Sequence, residues 1–331
     1  MDVPKPSLKD ARSALLKVTL GALCGSDLHA YHGQIPMNQG ELLGHEFVGV
    51  VEDSGPEVRR FKPGDRVVSS FYTSCGHCAL CRKGWFNECE SIGRFGFGEY
   101  QGGLGGGQSE YVVVPNADFT MEHIPEGMTD EQAIFVGDIL ATGFFVADRA
   151  EIRPGDAVAV IGAGPVGLMA TMCAGLFGPA RIFVVDMVDS RLEVARTLGG
   201  TPINPSKVHP VTAIHEQTGG VGADSSLECV GSMAAVDTAI HCVRGGGTVS
   251  VVGVPNAVSA DFPYLHFWIK ALTFRSGNCN VQPYMRSLLD LIAAGRLHPE
   301  KIISHRMKLD DAEEAYRMFD ARQATKIVFT P

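Results

Sequence analysis

Short strand-like apolar stretches separated by Gly and Pro turns mark the first third of the chain. Ala14 to Leu23 reads as a strand, and Phe47 to Glu52 and Arg66 to Phe71 add short β-branched runs between turns such as Lys62-Pro63-Gly64-Asp65. This spacing predicts a compact, mostly β domain. Glu110 to Pro115 predicts another strand, preceded by a glycine-rich stretch, Gly93 to Gly107, that fits an irregular connection or a mobile loop. Between Thr129 and Asp148 the apolar spacing becomes helical.

From Ala157 the period changes. Strands are expected at Ala157 to Ile161, Arg181 to Val185, Ser225 to Val230, Thr248 to Val254 and Leu272 to Gly277, with helices near Arg191 to Leu198 and Ala234 to Val243. Strands alternating with helices predict a doubly wound parallel sheet and so an α/β protein. Helices near Tyr284 to Ala294 and Asp310 to Ala321 follow, and the apolar end, Ile327 to Phe329, is expected to return to the β domain. The expected division is 1–143, 144–276 and a returning segment 277–331.

Composition narrows the classes. A chain of 331 residues with 45% hydrophobic content can bury two cores. A net charge of -9 offers no basic field, which argues against nucleic acid and anionic membrane surfaces as partners. The start, Met1-Asp2-Val3-Pro4-Lys5-Pro6, has no apolar segment of a secretory leader, so a cytoplasmic protein is expected. Ala157 to Ala180 carries no charged side chain and is long enough to span a bilayer. Its Gly162-Ala163-Gly164-Pro165 break fits a strand, a turn and a buried helix instead.

Nine cysteines without a leader point to metal or free thiols rather than disulfides. Cys75, Cys78, Cys81 and Cys89 are spaced to wrap one tetrahedral zinc with no open position, which is a structural site; His77 is surplus. Cys24-Gly25-Ser26-Asp27-Leu28-His29 and, further on, Gly44-His45-Glu46 supply a thiolate and an imidazole, two of the three protein ligands of a catalytic zinc. Asp138, within Gly137-Asp138-Ile139-Leu140-Ala141-Thr142-Gly143, is either the third ligand or a helix N-cap. Cys173, Cys229, Cys242 and Cys279 read as small buried hydrophobes.

The turn Gly162-Ala163-Gly164-Pro165-Val166-Gly167 follows a predicted strand and opens a predicted helix. Asp186 lies 186 − 167 = 19 residues past its last glycine, at the end of the next strand. That is a dinucleotide-binding fingerprint in context, with the acid placed for the ribose hydroxyls of NAD. Val230 and Val252-Gly253-Val254, at the ends of later strands, are further candidates for cofactor contact.

With these motifs the chain resembles the zinc-dependent medium-chain alcohol dehydrogenases over essentially its whole length. Gly-Asp-Ile-Leu-Ala-Thr-Gly is most similar to bacterial members related to formaldehyde and secondary-alcohol dehydrogenases. The resemblance implies a GroES-like catalytic domain and a Rossmann domain. It implies a catalytic zinc on Cys24, His45 and Asp138, with Glu46 an occasional fourth ligand, and a structural zinc on Cys75, Cys78, Cys81 and Cys89. Two zincs per subunit, NAD and a homo-oligomer, dimer or tetramer, follow as expectations. Ser26 and His29 match proton-relay positions, with Asp27 and Glu46 in the same catalytic group, and Arg191 matches a basic residue near the adenosine ribose. The chain departs from the family at its start, where relatives usually carry further strand residues ahead of Met1, and at Gly25, where some carry a basic residue for the cofactor phosphates.

The expected reaction is reversible oxidation of an alcohol to an aldehyde or ketone, with hydride passed to nicotinamide and the proton passed through Ser26 toward His29. A polyol or amino-alcohol dehydrogenase, of sorbitol or threonine type, is the alternative within the class. A nucleotide-sensing protein whose zinc is only structural is the alternative outside it.

Overall fold

The computed structural model describes residues 3–8, 10–255, 259 and 261–331; Met1 and Asp2, part of the stretch read as lacking a leader, lie outside them. Strands β1 (Ala14–Leu23), β2 (Glu46–Ser54), β3 (Arg66–Ser69), β4 (Tyr72–Thr73), β5 (Gly93–Arg94), β6 (Tyr111–Val114) and β7 (Met121–His123) come first. Then follow β8 (Ala157–Ile161), β9 (Arg181–Val185), β10 (Thr201–Ile203), β11 (Ala223–Glu228), β12 (Val243–Val251) and β13 (Thr273–Ser276), and finally β14 (His305–Lys308) and β15 (Ile327–Thr330). The chain separates into two compact units: residues up to Ala141 together with Asn280–Pro331, and Thr142–Cys279.

In the first unit a seven-stranded sheet runs β14-β15-β1-β2-β3-β7, with β6 also pairing β1. The central strand β1 lies antiparallel to β2, β6 and β15, its end held by Gly21 opposite Phe329 and Leu23 opposite Ile327. Flanked on both edges and covered on both faces, β1 is apolar at nearly every position, unlike a half-solvated strand. Leu16, Val18, Phe47, Val51, Val67, Phe95 and Met121 form the core beside it. Phe47 meets Phe95 edge to face at 5.1 Å, and each such buried ring is worth about 1.5–3 kcal/mol. A second cluster joins Leu23 to Tyr316, Phe319, Ile327 and Phe329. It forms because the helix Ala312–Asp320 turns Ala315, Tyr316 and Phe319 inward and leaves Glu313, Glu314 and Arg317 in solvent.

The glycine-rich stretch is an irregular, hydrogen-bonded connection. Gly96 N–H donates to Leu104 O (3.1 Å), Gly106 N–H to Leu42 O (3.0 Å) and Gly107 N–H to Gly44 O (2.8 Å). The helical pattern over Thr129 to Asp148 is interrupted. A helix Asp130–Ala133 with a Thr129/Gln132 capping box gives way to a 3₁₀ turn, Ile134–Gly137, and a new helix starts at Ile139. The break comes from backbone crossing β3: a Cβ on Gly137 would stand 1.8 Å from Ser69 O, and Phe71 N–H donates to Gly137 O at 3.0 Å. Asp138 takes up the turn, with φ −150 and ψ −92.

In the second unit six parallel strands run β10-β9-β8-β11-β12-β13. The order reverses between β8 and β11, the place where open α/β sheets leave a crevice at their strand C-termini. Ala159, Phe183, Ile214, Ala239, Ile240 and Val249 pack helices onto the sheet. The uncharged run from Ala157 resolves into β8, the glycine turn and the helix Pro165–Ala174. Among the described residues no helix is long and apolar enough to cross a membrane.

Candidate functional site

Cys24 directly follows β1, His45 directly precedes β2, whose first residue is Glu46, and Asp138 sits at the helix break. These three places bring one ligand atom each of Cys24, His45, Glu46 and Asp138 within 4.8 Å of one another. The group is buried: Cys24 8% exposed, His45 2%, Glu46 0% and Asp138 8%. His45 is aimed by its neighbours. Its Nδ1 lies 3.1 Å from Asp27 Oδ1, while Nε2 faces Asp138 Oδ2 at 3.2 Å and Ser26 Oγ at 3.2 Å. Phe97 stacks on its ring at 5.0 Å.

The electrostatics fit a cation. Burial pushes the Cys24 thiol up, and the Asp138 and Glu46 carboxylates push it further. Burial opposes a charged His45, yet Asp27 and Cys24 raise its pKa well above the ordinary value. Burial likewise opposes ionisation of Asp138, but His45 outweighs it and holds the carboxyl low. Burial lifts Glu46 to about 7 although Lys326 pulls the other way. Glu46 Oε1 is buried without a hydrogen-bond partner. A thiolate, an imidazole and carboxylates in a negative field that draws protons form a donor set suited to zinc.

Cys75, Cys78, Cys81 and Cys89 also lie with their sulfurs within 4.8 Å of one another. Backbone N–H groups point at those sulfurs: Cys75 N–H to Cys89 Sγ (3.2 Å), Cys78 N–H to Cys75 Sγ (3.3 Å) and Cys81 N–H to Cys78 Sγ (3.5 Å). The Cys81 N–H and its neighbours hold the Cys78 thiol low, at about 6, whereas burial pushes Cys81 up to about 12. His77 stands aside, its Nδ1 2.8 Å from Cys75 O. The returning chain braces the lobe: Asn280 accepts from Phe86 N–H (3.1 Å) and donates to Gly84 O (2.6 Å).

The glycine turn has the shape its sequence demands. Gly162 has φ +99, a Cβ on Gly167 would stand 1.9 Å from Gly162 O, and the space beside Gly164 is open. Pro165 and Val166 begin the helix. That cradle, which only glycine leaves free, fits a dinucleotide pyrophosphate. Asp186 follows β9, where its Oδ2 accepts from Ala163 N–H (2.7 Å) and its Oδ1 from Val188 N–H (2.8 Å). Arg191 lies in the first turn of the helix Asp189–Thr197. Val230 and Val254 follow β11 and β12 and are 51% and 58% exposed, with Val252 and Gly253 beside them.

Two placements differ from a connected relay. Ser26 Oγ bonds His45, whereas His29 Nδ1 meets Gln34 Oε1 at 2.6 Å, so these bonds do not link Ser26 to His29. Residues that spacing did not single out complete the surroundings. Lys326, fully buried, reaches Glu46 Oε2 (2.5 Å) and donates to Leu23 O (2.8 Å). Its sequence signal is a lone cation ahead of an apolar strand. Glu228, also buried, accepts from Val230 N–H (2.7 Å) and Gly231 N–H (2.8 Å). Gln108 and Tyr316 reach the same region as Asp27.

Residues 10–126 match the family model described as "Alcohol dehydrogenase GroES-like domain", and 165–294 match "Zinc-binding dehydrogenase". A probable zinc-binding alcohol dehydrogenase of Mycobacterium tuberculosis is 40% identical over 98% of this chain and 83% of its own. The chain belongs to the zinc-dependent medium-chain alcohol dehydrogenase family. An alcohol dehydrogenase structure from Thermus sp. ATN1 matches with TM-score 0.97 and 44% identity, covering 100% of this chain and 95% of that one. A Sinorhizobium meliloti zinc-binding dehydrogenase structure bound to NADP matches with TM-score 0.88 and 28% identity, over 100% and 94% of the two chains. The protein is accordingly a zinc-dependent alcohol oxidoreductase that uses a nicotinamide cofactor.

Proposed function

We propose that this dehydrogenase oxidises a small alcohol reversibly with NAD, using Cys24, His45 and Asp138 as catalytic zinc ligands. Glu46 is the neighbouring carboxylate, and Cys75, Cys78, Cys81 and Cys89 hold a structural zinc. The observation that carries the reading is the convergence of Cys24, His45, Glu46 and Asp138, from three separate elements, on one buried point. When bound, zinc supplies a Lewis acid that lowers an alcohol's pKa, and nicotinamide takes the hydride. The chain's own part is orientation. Asp27 beside Nδ1 keeps His45 Nε2 turned into the cluster. Ser26, whose Oγ lies 3.2 Å from that nitrogen and would turn away from it toward substrate once zinc is held there, is placed to take the first proton. His29 is the next acceptor once its Gln34 bond opens, which makes the relay the least assembled part of the site.

On the cofactor side, the glycine turn holds the pyrophosphate and Val230, Val252, Gly253 and Val254 face the nicotinamide end. The neighbour solved with NADP does not carry that choice over to this chain, and the carboxylate of Asp186 supports NAD. Asp186 keeps lone pairs free for ribose hydroxyls, while a 2′-phosphate there meets a like charge. Its bond to Ala163 N–H ties ribose recognition to the glycine turn. Asp186→Gly is therefore expected to shift the kcat/KM ratio toward NADP by about tenfold or more and also to raise KM for NAD. Steady-state kinetics with both cofactors check this; a wild-type preference for NADP would overturn it.

Homo-oligomerisation belongs to the same reading. Tyr264, Leu265, Trp268 and Ile269 on one short helix are 67–69% exposed, beside the edge strand β13. Light scattering at the monomer mass would remove it. A cytoplasmic location, supported by nine free cysteines, would be refuted by recovery outside the cell.

A further inference from the structure

The glycine-rich connection ends at Gln108, and the end of that side chain is fully engaged. Nε2 donates to Asp27 Oδ2 (3.1 Å) and to Ala22 O (3.2 Å), and Oε1 accepts from the Tyr316 hydroxyl (2.7 Å). Asp27 Oδ2 also accepts from Cys24 N–H (2.9 Å), and its other oxygen is the one beside His45 Nδ1. One carboxylate, 1% exposed, thus touches the backbone of one proposed ligand and the ring of another, and Gln108 is the side chain that fixes it from outside.

Room for Gln108 is made by the residue before His45. Gly44 has φ +90, and a Cβ there would fall 2.4 Å from Gln108 Cγ and 2.9 Å from its backbone N. The Gln108 N–H in turn donates to Leu43 O at 3.0 Å. The turn that delivers His45 and the connection that delivers Gln108 are therefore built against each other.

Tyr316 has its own part in this. An amide can be reversed end for end, and here the two orientations differ sharply in energy. With Oε1 toward the hydroxyl, the NH₂ group faces Asp27; reversed, an amide oxygen would face a buried carboxylate. A tyrosine that donates at 2.7 Å selects the first. Tyr316 sits on the returning helix Ala312–Asp320, packed against Leu23, so that helix bears on the metal cluster through this side chain, as Lys326 further along does through Glu46.

We propose that Gln108 and Tyr316 are positioning residues of the catalytic metal centre, acting in series through Asp27 to hold His45 in its ligating orientation. This rests on the assignment of Cys24, His45 and Asp138 as zinc ligands. Outer partners of a metal-bound imidazole commonly change metal affinity by about 10–100-fold, so the effect should be visible in the metal itself.

The test follows zinc release to a chelator from purified wild-type enzyme, Tyr316→Phe, Gln108→Leu and the double variant, with both zincs counted. Wild type should hold two zincs per chain. Tyr316→Phe should speed loss of one zinc several-fold and Gln108→Leu about tenfold or more, the other zinc being unaffected. In the Gln108→Leu background Tyr316→Phe should add nothing, because its route to Asp27 is gone. Cobalt in place of the labile zinc should show a shifted visible absorption band in both single variants. Two zincs with release and spectra unchanged would overturn the proposal alone. So would a Tyr316→Phe effect of equal size in both backgrounds, which a merely structural role predicts. A wild-type content of one zinc would overturn the ligand assignment beneath it. Tyr316→Phe, which deletes only a hydroxyl, keeps the test decisive if Gln108→Leu fails to fold.

Discussion

The two clusters proposed to hold zinc are built on opposite plans. The four-cysteine lobe takes its ligands from 75 to 89, and its own backbone N–H groups point at the sulfurs. Little of it depends on the sheet, apart from the brace through Asn280 and the Tyr72 hydroxyl, which accepts from Val281 N–H at 3.0 Å. The second cluster has no local plan at all. Its residues come from the end of β1, the start of β2 and a helix break, and Asp27 and Lys326 support it from two further places. All-thiolate ligation leaves no position for a substrate, whereas a mixed set held by a rigid frame can. The difference teaches that a closed site stabilises a segment with little core, and an open site has to be stabilised by the rest of the fold.

The sharpest way to break this comparison is to remove a ligand from the open site. Asp138→Ala should lower turnover by at least about 100-fold and reduce zinc from two to one per chain, with little change in thermal stability. Kinetics and elemental analysis on the same preparation check it. Full zinc content with full activity would show that Asp138 is only a bend in the helix.

Next in size is the closed site. Cys89→Ser should lose more than about 3 kcal/mol of stability, because a structural zinc contributes folding free energy, while kcat per folded molecule stays within about twofold. Thermal unfolding together with active-site titration separates the two quantities. Equal loss of turnover in Cys89→Ser and Asp138→Ala, at full zinc content, would erase the distinction.

How much of this was legible in the sequence follows from the same contrast. The lobe can be read from Cys75-Gly-His-Cys78-Ala-Leu-Cys81 because its geometry is local. The strands Ala157–Ile161 and Arg181–Val185 can be read from sequence because a parallel strand covered on both faces is apolar along its buried length, which in the second begins after the exposed Arg181. By contrast Thr201–Ile203 contains a proline and His305–Lys308 alternates charge with histidine and methionine, so neither edge strand shows an apolar run. The helical spacing over Thr129 to Asp148 hides a break that the approach of Gly137 to Ser69 O explains. Gln108, Tyr316 and Lys326 carry no spacing signal, since each matters through partners far away in the chain: Asp27, Gln108 and Glu46.

The smallest expected difference is in how acid acts on the two clusters. Zinc binds only deprotonated ligands, so its affinity falls with pH in proportion to the protons the free ligands regain. In the lobe, Cys81 and Cys89 are pushed up by burial and are protonated when free between pH 8 and 6, and the thiol of Cys78, held at about 6, regains its proton only toward the lower end. In the open cluster, Cys24 and His45 both take a proton, Glu46, lifted by burial to about 7, takes one within that range, and Asp138 is held low by His45 and stays ionised. The sign follows: lowering pH weakens both sites, and the added steepening comes near pH 7 at the open cluster, through Glu46, and near pH 6 in the lobe, through Cys78. Chelator competition at several pH values, with the open site emptied in a Cys24→Ala variant for one series, measures the two slopes separately. A pH dependence at the open cluster that does not steepen near pH 7 would mean that Glu46 does not bear on the metal held there.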